Sequence, residues 1–260
     1  MACEKEPTVL NNDTIFPTDT TQPEIPSTAD IIYDAVTDID GNHYNAVRIG
    51  EQIWMASNLR TTRFADGEEI DGYIAPNGDI NNVPTYGYLY DWLCIAYVAT
   101  SDTNPSGVHR ICPDGWHMPS EEEWTQLVEY VGTQNDFICS NSTNIAKALA
   151  SNSDSWYSNT TTTCAVGYDV TTNNATGFSA LPAGWYDNSS STHSWHSFGF
   201  DACFWTSSSY NSSVYFSDVC YFNLNKDAAN VRRQMVNVSH HYPGGPPYTD
   251  KYYSVRCVQD

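Results

Sequence analysis

His109, Cys112 and His117 place a thiol between two imidazoles in one short run, which is the material for a nucleophile with its base or for a metal site. The chain has 8 cysteines and no C-x-x-C pair, so the spacing supports neither a zinc ribbon nor a dithiol redox centre. The run from Asp38 onward begins like a calcium loop. An EF-hand, however, needs Gly at its sixth position and Glu at its twelfth, where His43 and Ile49 stand. No G-x-S-x-G, P-loop or H-E-x-x-H pattern occurs. The chain is therefore read as a non-enzyme, with no cofactor and no metal expected.

The residues best suited to touching another molecule lie in "SSSYNSSVYFSDVCYFNLN", 207–225. Val214, Phe216, Cys220, Phe222 and Leu224 share one strand parity and are expected to face a core. Tyr215, Ser217, Tyr221, Asn223 and Asn225 share the other, with Asp218 and Val219 near a turn. Tyr offers large rigid contact area at small entropic cost, and Asn and Ser add adaptable hydrogen bonds, the mixture that antibody paratopes use. Tyr210, Asn211, Asp218, Asn230, Arg232, Arg233, Asn237 and His240 complete the candidate contact set. The other reading of this row is a plain solvated sheet face. Arg232 and Arg233 are expected either to bridge to a nearby carboxylate or to anchor an anionic group on a ligand.

Short elements must carry these residues. "MPSEEEWTQLVEYVG" predicts a helix, with Ser120 and Glu123 as a capping box and Glu121 and Glu122 on the positive end of the dipole. Trp124, Leu127, Val128 and Val131 form its apolar face, and Gly132 is expected to end it. A second helix is expected over "NIAKALAS", with Ile145, Ala148 and Leu149 inward. "DIDGNHYNAVRIGEQIWMASNL" reads as a hairpin with turns at 40–42 and 50–51.

The 260 residues carry a formal net charge of -20, with Asp+Glu 31 against Lys+Arg 11, which excludes nucleic acid and anionic membrane surfaces as electrostatic partners. A hydrophobic content of 40% is ample for a core. Residues 1–33 are rich in Pro, Thr and acids and read as a disordered tether, while 34–260 form the folded domain. "MACEKEPTV" looks like the start of a mature bacterial lipoprotein, with Cys3 as the lipid-bearing residue and the membrane reached only through that anchor. Seven cysteines then remain, of which Cys94 in "WLCIAY" is expected to be unpaired. Cys139 with Cys164, Cys203 with Cys220, and Cys112 with Cys257 are the candidate disulfides, although sequence fixes no connectivity. The triplets at 13–15 and 19–21 resemble bacterial O-glycosylation sites.

The ordered cues "DIDGNHYNAVRIGEQIWMASNLR", "YGYLYDW", "ICPDGWHMPSEEEW", "TGFSALPAGW", "FWTSSSY" and "YSVRCV" resemble the Fibrobacter major paralogous domain family of secreted proteins and lipoproteins. The resemblance runs from about Asp38 to the last residues. It implies an α+β, C-type-lectin-like fold akin to formylglycine-generating enzymes, with small antiparallel sheets, two helices and long loops. It places Cys112 in the "CPDGWHMP" turn as a disulfide partner and Trp116 as a core anchor. Some relatives are variable proteins of diversity-generating retroelements, and the Asn, Tyr, Ser, Asp and His content of 207–242 is compatible with that. The triplets through which this fold binds sugars with calcium are absent, although Trp156, Trp185 or Trp195 could stack on a sugar. The expected function is a cell-surface module binding a protein or glycan. The alternatives are a formylglycine-generating enzyme using Cys203 and Cys220, or a structural surface protein.

Overall fold

A computed structural model describes residues 29–96, 100–188, 193–211, 216–239 and 251–260. Alternating apolar residues in the early part of the chain build β1 (Asp30–Thr37), β2 (His43–Ile49) and β3 (Gln52–Met55). β4 (Tyr73–Ile74), α1 (Val83–Tyr86), β5 (Leu89–Asp91) and α2 (Trp92–Ala96) follow. Then come β6 (Trp116–His117), α3 (Glu121–Thr133) and α4 (Ala146–Leu149). β7 (Trp185–Asp187), β8 (Ser194–His196), β9 (Asp201–Tyr210), β10 (Phe216–Asn225) and β11 (Arg232–Ser239) precede β12 (Lys251–Ser254) and β13 (Val258–Gln259). The class is α+β, as expected.

One sheet runs β1-β2-β3-β13-β6 and the other β11-β10-β9-β12-β5-β4, with β7 and β8 attached through β12. Pairing is antiparallel apart from β9 with β12. The two last strands each serve a different sheet, so the end of the chain ties both together. β9 and β10 separate two apolar clusters. Cys203, Trp205 and Val219 face one that also holds Tyr90, Trp92 and Tyr253. Phe204, Cys220, Phe222 and Leu224 face the other, where Trp124 stacks on Phe222 at 5.0 Å and meets Trp54 at 5.0 Å with the rings tilted by 59°. Period-2 alternation is thus satisfied by burial on both faces.

Arg256 is wholly buried between the rings of Phe178 and Phe204. It donates to the carbonyl oxygens of Phe178 and Ser179 and to Asn58 Oδ1, and burial pushes its guanidinium down to about 9. α3 starts on the predicted capping box: Ser120 Oγ accepts from Glu123 N at 3.1 Å and Glu123 Oε2 accepts from Ser120 N at 2.9 Å.

Several expectations are corrected. β1 begins at Asp30, so 30–33 belong to the fold and not to the tether. Gly132 lies inside α3; a Cβ there would meet Ser142 O at 2.6 Å, so the residue serves a close approach and not a stop. The second helix is one turn, Ala146–Leu149, with all four residues buried, Lys147 included, because its Nζ donates to the carbonyl oxygens of Tyr168 and Asp169.

Cys112–Cys257 and Cys139–Cys164 are bonded, whereas Cys203 and Cys220 are free, as is Cys94. Cys203 and Cys220 cannot meet because they project from opposite faces of the β9–β10 ribbon into different clusters. Cys3 and the triplets at 13–15 and 19–21 lie outside the described residues.

Candidate functional site

β9, β10 and β11 pair in a register that aligns Tyr210, Asp218 and Asn237 in one row across three strands. Asn211, just past β9, turns back with φ 47 and donates from Nδ2 to Asp218 Oδ2 at 3.0 Å. Asn237 Nδ2 donates to Asp218 Oδ1 at 2.9 Å. Those bonds, Asn237 first and then Asn211, hold the Asp218 carboxyl below its ordinary range. Both Asn residues are exposed, so the row presents fixed polar groups to solvent.

On the same face, Arg233 grips Glu121 in the first turn of α3 with Nε on Oε1 and Nη2 on Oε2 at 2.8 Å, while Tyr210 donates its hydroxyl to Oε2 at 2.9 Å. Burial works against ionisation of Glu121, but bonds from Arg233, Cys220 and Tyr210 outweigh it and lower its value. The fork fixes the start of α3 to the edge strand β11. Phe216 and Met235 also share this parity and are 41% and 39% exposed. The result is a contiguous face of Tyr210, Asp218, Arg233 and Asn237 with two exposed apolar side chains, flanked by Asn211.

The other expected contacts fall elsewhere. β10 is an inner strand covered on both faces, so the parity expected to be solvated is largely buried: Ser217 is 1% and Asn223 8% exposed. Tyr221 packs against Tyr253 at 4.7 Å and Trp205 at 6.3 Å. Asn223 and Asn225 donate to Asp201 Oδ1 at 3.2 and 2.6 Å and lock the strand ends. Phe216, expected in the core, is exposed because the core stops short of that end of β10.

Of the Arg pair, Arg233 makes the expected bridge; Arg232 is exposed, with no carboxylate partner among the described residues. Asn230 lines a separate groove of about 590 Å³ beside α3, with Val128 and Val231. Tyr215, Val214 and His240 lie outside the described residues.

The histidine and cysteine run has a structural explanation. His117 is buried and bonds Glu123 Oε1 at 2.6 Å through Nε2 and Asp260 Oδ1 at 2.7 Å through Nδ1, and Cys112 is in its disulfide. Asp38 is occupied by Asp40 N, Asn42 N and Nδ2, and the Tyr44 hydroxyl. No group of three or more His, Cys, Asp or Glu is placed to hold a metal among the described residues.

Of the Trp residues expected to stack on sugars, Trp156 is buried. Trp185 stacks on His196 at 4.1 Å, with Lys251 Nζ 5.3 Å from the ring, and Trp195 leans on Tyr186 at 4.5 Å.

Sequence reasoning missed Phe216, Met235 and Glu121 as parts of the face. The three consecutive acids at 121–123 gave no sign of which one would reach β11.

A family model described as the Fibrobacter succinogenes major domain matches residues 47–259, most of the chain. No curated protein and no solved structure matches.

Proposed function

The chain belongs to the Fibrobacter succinogenes major domain family, and on that premise we propose that it is a cell-surface recognition protein that binds a protein or glycan through the exposed end of the α3-side face of β9, β10 and β11. The observation that carries this reading is the cross-strand row of Tyr210, Asp218 and Asn237, with Phe216 and Met235 exposed beside it. Polar groups already held by one another lose little freedom on binding, and exposed apolar side chains among them supply area to desolvate.

The fold is proposed to be C-type-lectin-like and the 207–242 segment to be a target of retroelement diversification, supported by its Asn, Tyr and Ser content. A reverse transcriptase gene and an imperfect codon repeat in the neighbouring DNA would support diversification; neither being there would remove it.

Two disulfides favour an oxidising, extracytoplasmic setting, in which Cys3 is the proposed lipid-bearing residue. The separation of Cys203 from Cys220 favours binding over a formylglycine-generating reaction. Burial raises both thiols, that of Cys220 to about 12, so neither is poised as a thiolate.

The test probes glycan and surface-protein arrays with the full chain and with a Phe216→Ser/Asn237→Ala variant. A partner held by the wild type and lost by the variant, at unchanged Tm, is the expected result. A partner held equally by both sinks the assignment of this face.

A further inference from the structure

A second concave site lies far from that face in the topology, between the β1–β2 loop, the segment after β3, and α1. Its volume is about 380 Å³, within the ~300–1,000 Å³ range of small-molecule sites. One side is apolar, made by Val83, Pro84 and the ring of Tyr88, which Tyr73 braces edge-on at 4.7 Å. The other side holds Arg60 with Asn42, Thr62 and Asp40, whose charge the Arg63 guanidinium offsets at 2.6 Å.

Arg60 is half-buried, its guanidinium lies 5.1 Å from the Tyr44 ring, and it donates from Nε to Asn42 Oδ1 at 3.1 Å and from Nη2 to His43 O at 3.3 Å. Those two bonds use one side of the fork. Among the described residues Nη1 has no partner, and no carboxylate pairs with Arg60.

This is unexpected in a chain with Asp+Glu 31, and the neighbouring acids explain it. Asp38 is filled by backbone and side-chain donors from Asp40, Asn42 and Tyr44. Asp40 accepts from Arg63 Nε at 2.6 Å, from Thr62 N at 2.5 Å, and from the hydroxyls of Thr61 and Thr62. Both acids of the β1–β2 loop are thus committed, and the Nη1–Nη2 end of Arg60 remains open.

An open guanidinium end in a pocket matches a carboxylate in bidentate geometry. The apolar wall and the Tyr88 ring match the C–H face of a sugar ring. A ligand ammonium would find no free carboxylate, because Asp40 is saturated, so a zwitterionic amino acid fits poorly.

We infer that this pocket binds a sugar acid, a hexuronate, with its carboxylate on Arg60 and its ring against Tyr88, Val83 and Pro84. The site is independent of the β9–β11 face.

The experiment titrates the ¹⁵N-labelled full chain with sodium glucuronate, and separately with glucose and with sodium acetate, following amide shifts. Saturable glucuronate shifts confined to 38–42, 60–62 and 83–88 are expected, with glucose and acetate weaker by about tenfold or more. Arg60→Lys keeps the charge but loses the fork, and should bind glucuronate about tenfold more weakly at unchanged Tm. Should that variant not fold, Tyr88→Leu leaves the Arg60 bonds in place and must show a comparable loss. The inference is overturned by glucose or acetate binding as tightly as glucuronate, by shifts that map elsewhere, or by folded variants that bind like the wild type.

Discussion

Tyr221 and Asn237 show how differently two members of one expected contact set behave. Tyr221 rests on Trp205 and Tyr253, so Tyr221→Ala removes core contacts and should cost about 2 kcal/mol in denaturant unfolding. Asn237→Ala, on the exposed face, should stay within about 0.5 kcal/mol. Equal effects would mean that the two strands' faces are assigned the wrong way round.

His117 supplies a second residue-scale prediction. Burial alone would lower its value, but the bonds to Glu123 and Asp260 outweigh it and raise it above 6.5. His109 also faces Asp260, at 3.5 Å. A raised folded value means that the stabilisation is fully present below the unfolded pKa and is lost as pH rises through the folded one. The Tm gap between the wild type and His117→Gln should therefore narrow as pH rises above the ordinary histidine value of about 6.5; a gap that widens would reverse the sign.

At the scale of elements, α3 pits local preference against packing. Replacing a helical Gly by Ala favours the helix by about 1 kcal/mol, yet the added Cβ at Gly132 would meet the Ser142 carbonyl at 2.6 Å, which is backbone and cannot swing away. Gly132→Ala should therefore lower stability by about 1 kcal/mol or more, read from the denaturation midpoint; a gain would show that the 142 loop yields.

The same helix was legible in sequence from its start, because a capping box is a local arrangement of Ser120 and Glu123. Its contact with β11 through Glu121 and Arg233 was not, since 112 residues separate them. The β2–β3 hairpin was legible for the same local reason, with its turn at 50–51.

For the whole molecule, closure comes from the end of the chain. β12 joins one sheet, β13 the other, Arg256 lies buried between Phe178 and Phe204, and Cys257 is bonded to Cys112 across 145 residues. A loop of that length restricts the unfolded chain strongly, so Cys112→Ser/Cys257→Ser should cost about 4–5 kcal/mol, and loss of Cys139–Cys164, with a separation of 25, about 3 kcal/mol. Chemical denaturation of the two variants checks the order; the shorter loop mattering more would contradict it.

Sequence by itself determined the composition class, the capped helix, the first hairpin and the alternation of β10, because each rests on neighbours in the chain or on residue type; which cysteines pair it left open. Alternation says that two faces differ, not which one water reaches. Only the tertiary structure decided that β10 is an inner strand, that Ser217, Tyr221 and Asn223 turn inward, that Cys203 and Cys220 point apart, and that Phe216 and Met235 join Tyr210, Asp218 and Asn237 outside. The physical reason is that burial depends on what packs against a strand's faces, and while β9 and β11 adjoin β10 in the chain, Trp124 of α3 on one face and Tyr253 of β12 on the other reach it from distant parts of the sequence.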